Sequence, residues 1–198
     1  MRGSRRRIAA LGRGFWITIG ALAAAVVAVA VLGGFAPAHR DPVSLTVLGP
    51  GETHVSEQVS TTALSAWLTD DPDLFLDEGE QALFLEIELT SNWTRPMGAA
   101  EVIEDVLDVS AVSDAPDRVS RADDGSAVVA LQPGLATPIL LRWDVTVGAV
   151  DAGSDLRITL SDGAVRQLQV LADDWVWDGH VPAAELRLPI EDRTGMAG

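Results

Sequence analysis

A run of 21 residues without a single charge, Phe15 to Phe35, divides this chain of 198 residues into two unequal parts of opposite sign. Arg2, Arg5, Arg6, Arg7 and Arg13 stand before the run, and all 29 Asp and Glu stand after it. Nine Arg against 29 acids leave the larger part near −20. At 1.5 Å per helical residue the run spans roughly 30 Å, the thickness of one hydrocarbon core. Arginines on its N-terminal flank hold that end in the cytoplasm. The expected layout is a basic cytoplasmic tail (1–14), a transmembrane helix (15–35) and a juxtamembrane linker (36–43). An extracytoplasmic domain (44–192) and a flexible tail (193–198) follow. The bilayer is then a partner through the helix.

A cleaved export signal competes with this single-pass cell-membrane anchor. Ala36-Pro37-Ala38 has the small-x-small form of a cleavage site, and Ser4-Arg5-Arg6-Arg7-Ile8 resembles a twin-arginine signal. The apolar run exceeds the usual length of a signal core, which favours retention. Both routes deliver residues 39–198 to the same side. Gly20, Ala24 and Ala28 form a small-xxx-small stripe, which an alanine-rich span also produces by chance.

Composition removes whole classes of chemistry. The chain has no cysteine, so disulfides, thiolate metal sites and a cysteine nucleophile are impossible. It has no lysine, which removes Schiff-base chemistry, the phosphate loop ending in Lys-Ser/Thr and the Ser-x-x-Lys pair. A domain near −20 repels nucleic-acid phosphates, so no nucleic acid is expected as a partner. The arginine-, alanine- and valine-rich usage is that of a high-GC bacterial genome.

Beyond residue 43, turn signals recur at close intervals, among them Gly49-Pro50-Gly51, Asp71-Pro72, Arg95-Pro96, Asp124-Gly125, Pro133-Gly134 and Asp178-Gly179. Short segments between such turns predict an all-β sandwich or barrel of antiparallel strands. In Leu83 to Leu89 the odd positions are apolar and Glu86 and Glu88 point the other way. In Ile139 to Val147, Ile139, Leu141, Trp143, Val145 and Val147 share a face opposite Arg142, Asp144 and Thr146. Such period-two alternation marks half-buried strands. Ser44 to Leu48, Thr61 to Leu68, Ala127 to Leu131 and Ala184 to Ile190 supply further strands. Leu156–Leu160 and Val165–Leu171 flank Asp162-Gly163, a tight-turn signal that predicts a hairpin there. Ala99 to Val112 reads either as a short helix, with Val102, Ile103, Val106 and Leu107 at helical spacing, or as an irregular crossover ending in an edge strand.

These parts resemble a family of actinobacterial single-pass membrane proteins with an extracytoplasmic immunoglobulin-like domain of unknown function. The likeness rests on Gly51, the segment Thr61 to Leu68, the alternating strand from Gly79 to Asn92, Gln132-Pro133-Gly134 and Leu140 to Trp143. Trp175 and the closing run Pro182 to Pro189 complete it. The resemblance implies an immunoglobulin-like antiparallel β-sandwich preceded by one N-terminal transmembrane helix, and it brings no catalytic residues.

Candidate sites are few. His39, His54 and His180 have no metal-ligand spacing, and solvated loop positions are the plainer reading of each. His180 could join Asp173, Asp174 and Asp178 around a cation. The acidic stretch Asp70-Asp71-Pro72-Asp73, with Asp77, Glu78 and Glu80, could offer oxygen ligands to calcium, although its spacing fits no calcium loop and a solvated acidic loop explains it as well. No Gly-x-Ser-x-Gly elbow is present, so no catalytic residue, cofactor or enzymatic activity is expected. Asn92-Trp93-Thr94 fits a glycosylation acceptor but also the end of a strand and its turn.

Six Trp and no Tyr make tryptophan the main aromatic resource. Trp143 belongs to a core face, and Trp67 is expected either in the core or at an edge. Trp175 and Trp177 share parity, so an extended chain presents both on one side, near Asp178 and His180. Such a pair serves a sugar-stacking platform, a protein-contact surface or the closed end of a sandwich core. The expectation is a non-catalytic binding or accessory module of the cell envelope, contacting another membrane or envelope protein. A cell-wall glycan binder and a calcium-stabilised module are the alternatives.

Overall fold

The computed structural model describes residues 44–112, 115–128, 130–168 and 174–195. The basic tail, the apolar run, the linker, His39 and Asp173 lie outside the described residues. Among the described residues no helix is long and apolar enough to cross a membrane.

Strands account for most of this domain. β1 (Thr46–Leu48) and β2 (Thr53–Val55) are short; β3 (Val59–Thr69) and β4 (Glu80–Ser91) are long and antiparallel. After β5 (Met97–Gly98) comes helix α1 (Ala99–Val106), then β6 (Leu107–Val109), β7 (Arg118–Arg121) and β8 (Ala130–Leu131). β9 (Ala136–Thr146), β10 (Asp155–Leu168) and β11 (Asp174–Asp192) complete the order. The nine-stranded sheet runs β6-β10-β11-β3-β4-β9-β7, with β1 beside β11 and β2 beside β3.

The sheet is folded on itself at β11. Residues 174–189 of that strand pair with β10, whereas Ile190, Glu191 and Asp192 pair with Ala66, Trp67 and Leu68 of β3. The two arms therefore close on one core, making a β-sandwich. Leu83, Leu85, Ile87 and Leu89 of one arm share a cluster with Leu156, Ile158, Leu160, Leu186 and Leu188 of the other. Each such side chain contributes roughly 1.5–3 kcal/mol by leaving water. Two pairings, β1 with β11 and β11 with β3, are parallel. The antiparallel expectation holds for the remaining pairs.

A bulge in β3 decides which face each of its side chains takes. Pairing slips between Ala63 and Ser65, leaving Leu64 40 % exposed. Inward positions are thus odd before the slip (Val59, Thr61, Ala63) and even after it (Ala66, Leu68). Trp67 is thereby carried to the outer face. There it stacks on Phe84 at 5.2 Å, with the Arg193 guanidinium 4.2 Å from its ring centre. Trp143 is buried on the β9 core face, but Val147 lies past the end of that strand and is exposed.

The ambiguous stretch after Gly98 is a helix followed by an edge strand. Ala99, Val102, Ile103 and Val106 fall at i, i+3, i+4 and i+7 and are buried. At Leu107 the backbone becomes extended, and Val109 pairs with Ile158. Eight residues are too few for a helix stable alone, so its packing against the core sustains it.

The hairpin expected at Asp162-Gly163 is absent. β10 continues through these residues opposite Val181 and Asp178, with bulges on either side of Asp162, and stays paired as far as Leu168 opposite Asp174. Gly163 instead permits a close approach, since a Cβ there would fall 2.5 Å from His180 Nε2. Of the C-terminal segment, residues 193–195 are described and make backbone contacts to the end of β3 and the residue after it. Arg193 N–H donates to Leu68 O at 2.9 Å and Gly195 N–H to Asp70 Oδ1 at 2.7 Å.

A tryptophan cleft as candidate functional site

The far half of the β10–β11 hairpin extends past β1, whose partners are Ala184, Glu185 and Leu186. Its Trp175, Val176 and Trp177 instead face the β4–β5 connection and the start of α1. Between them lies an open cleft of about 200 Å³. Three tryptophans line it: Trp93 just after β4, and Trp175 and Trp177 on β11. Trp93 and Trp177 meet edge to face, with centroids 4.8 Å apart at 71°. This geometry suits the quadrupoles of the two rings and holds Trp177 half-buried. Trp175 is 42 % exposed at the cleft.

Polar groups fix the surrounding backbone. Asn92, after the end of β4, donates from Nδ2 to Ser56 O at 2.8 Å and to Ser60 Oγ at 3.0 Å. Its backbone N–H reaches Gln58 O at 3.0 Å. Asn92 is thus committed to the β2–β3 turn, which accounts for the Asn-Trp-Thr sequence structurally. Gln58 is buried and lines the cleft, and its Oε1 lies 3.2 Å from His180 Nε2. Beside this pair, His54 Nε2 meets Asp162 Oδ1 at 2.7 Å. Two histidines far apart in sequence thus clamp the hairpin to the β2–β3 corner.

The opposite wall is α1. Glu101 and Asp105, four residues apart, share one helical face and line the cleft with Arg95. These members lie roughly 70 to 80 residues before Trp175 in the chain, so no local spacing joins them to it. The parity of Trp175 and Trp177 is legible in the sequence, but Trp93 and the helix wall are not.

Of the other candidates, Asp178 caps the N–H of Gly179 at 2.6 Å and lies 3.5 Å from Arg166. Asp71 Oδ1 accepts from the Asp73 N–H at 2.9 Å, capping a 3-10 turn at Pro72–Leu74, and Asp70 holds Gly195. The Asp70 and Asp71 carboxylates thus serve the backbone at the end of the sandwich away from the cleft, where Asp73 supplies the N–H that Asp71 caps. Among the described residues no cluster of three or more His, Asp or Glu could hold a metal ion.

No family model and no curated protein matches the chain. Solved structures give loose overlaps. A candidate lipoprotein from Staphylococcus aureus aligns with a TM-score of 0.43 at 9% identity, covering 73% of this chain and 96% of that one. An uncharacterized β-sandwich protein from Clostridium difficile aligns with a TM-score of 0.44 at 8% identity, covering 77% and 98%. The sandwich described above stands on the pairing of this chain's own strands.

Proposed function

We propose that the chain is a membrane-anchored, extracytoplasmic, non-catalytic binding module of the cell envelope with an immunoglobulin-like sandwich. Its partner is another membrane or envelope protein, held at the tryptophan cleft. One observation carries this reading: Trp175 stands 42 % exposed beside a cleft already walled by Trp93 and Trp177. Partly exposed tryptophan in a preformed pocket is the residue type that dominates protein-contact energetics. The direction of β1 supports the same reading. It runs parallel to β11 with Thr46 beside Ala184, so the chain enters the domain from the side toward which the hairpin projects.

The glycan alternative draws on the same indoles. A stacking platform needs two open faces, whereas Trp177 is half-buried with its ring against Trp93. The protein reading is therefore preferred.

A photocrosslinking residue at position 175 of the full chain, activated in native membranes, tests the proposal. One protein captured reproducibly from residue 175, and not from exposed Val147, is the expected result. Capture of wall polysaccharide alone, or of nothing, would refute it.

A further inference from the structure

We infer that the group taken by the tryptophan cleft is a cationic side chain, an arginine presented by the partner polypeptide. This rests on the reading that the cleft binds a protein. Three indoles, whose ring faces are electron-rich, line one side-chain-sized space of about 200 Å³. Such faces attract cations, most strongly where water is partly excluded. The wall facing the hairpin adds Glu101 and Asp105.

What sets those two carboxylates apart is their place, on the wall that faces the indoles. Among the described residues neither has a hydrogen-bond or ion-pair partner, whereas Asp162 and Asp178 nearby hold His54, Gly179 and Arg166. Glu101 sits in the first turn of α1, where a negative charge suits the helix dipole. Asp105 sits in the last turn, where the dipole disfavours it, and no basic residue there offsets it. It is half-buried in the cleft wall, one helical turn from Glu101. Arg95 is the cation among the described lining residues, so the charged side chains of the wall sum to −1.

Acceptors without partners select among cations. A quaternary ammonium has no hydrogen to donate, whereas a guanidinium presents five N–H donors in a plane that also stacks on an indole. The same domain already uses this combination at its other end. The Arg193 guanidinium lies over Trp67 while donating to Glu191 at 2.7 Å. An ectodomain carrying about −20 would also draw a basic partner by long-range attraction.

Intrinsic fluorescence of the full chain in detergent, titrated with N-acetyl-arginine amide, is the test. The neutral isostere N-acetyl-citrulline amide and tetramethylammonium serve as comparison ligands. The expected result is a saturable response to the arginine compound, about tenfold weaker for citrulline. Trp175→Ala and Asp105→Asn should each weaken it severalfold without shifting the thermal midpoint. Should Trp175→Ala fail to fold, Asp105→Asn decides. Equal response to citrulline, no saturable response, or persistence in both variants would overturn the inference. A stronger response to tetramethylammonium would overturn the arginine assignment. If the titration fails while crosslinking from position 175 still captures a protein, the cation assignment alone falls; if both fail, the binding reading falls with it.

Discussion

Thr61 is wholly buried on the inner face of β3, yet among the described residues its Oγ1 has no hydrogen-bond partner. A buried hydroxyl left unpaired loses its water without compensation. Valine has nearly the same shape and no oxygen to desolvate. Thr61→Val should therefore raise stability by about 1 kcal/mol, read as a higher urea midpoint at unchanged slope. An unchanged or lower midpoint would mean the hydroxyl is satisfied in solution. Gly163 shows the opposite case, in which an absent atom is what the packing needs. Its missing Cβ leaves room for the His180 ring against Gln58.

At the scale of elements, the bulge in β3 sets a parity that no hydrophobic pattern would give alone. The run Thr61 to Leu68 reads as strand, but strict alternation from Thr61 would send Ser65 and Trp67 inward. Ala63 and Ser65 face successive partners on β4, Ile87 and Glu86, so Leu64 is the extra residue, and deleting it should leave Ala66 and Leu68 inward and Trp67 outward. The expected outcome is a cooperative, native-like unfolding transition monitored by near-ultraviolet circular dichroism; loss of cooperativity would show that the bulge itself is needed to seat β3. Much of the β architecture is nevertheless legible in the sequence. Leu83 to Leu89 and Ile139 to Val145 alternate because one of their faces is core and the other is not. The misplaced hairpin has a physical reason. Asp-Gly favours a tight turn locally, but cross-strand pairing and the approach of His180 outweigh it. The cleft is half legible for a related reason. Trp175 and Trp177 announce a face by spacing, whereas Trp93, Glu101 and Asp105 join them only through tertiary packing. Arg142 with Asp144, Arg187 with Glu185 and Arg193 with Glu191 show a local rule that does survive. Residues two apart on a strand share a face, so opposite charges at that spacing meet.

For the whole molecule, β11 is the element that makes two arms one domain. Its last residues bring Ile190 into the core and pair with β3, and Arg193 then covers Trp67. Ending the chain at Pro189 would remove those contacts, of which Ile190 burial alone contributes roughly 2–3 kcal/mol. The truncated protein should melt at a clearly lower temperature in calorimetry, and an unchanged midpoint would show that the arms hold without the bridge. The shared strand also defines a load path. A pull applied at Trp175 would run along β11, whose far end lies parallel to β3 and would be sheared rather than unzipped. Tension on the cleft is thus passed through the body of the sandwich to its opposite pole.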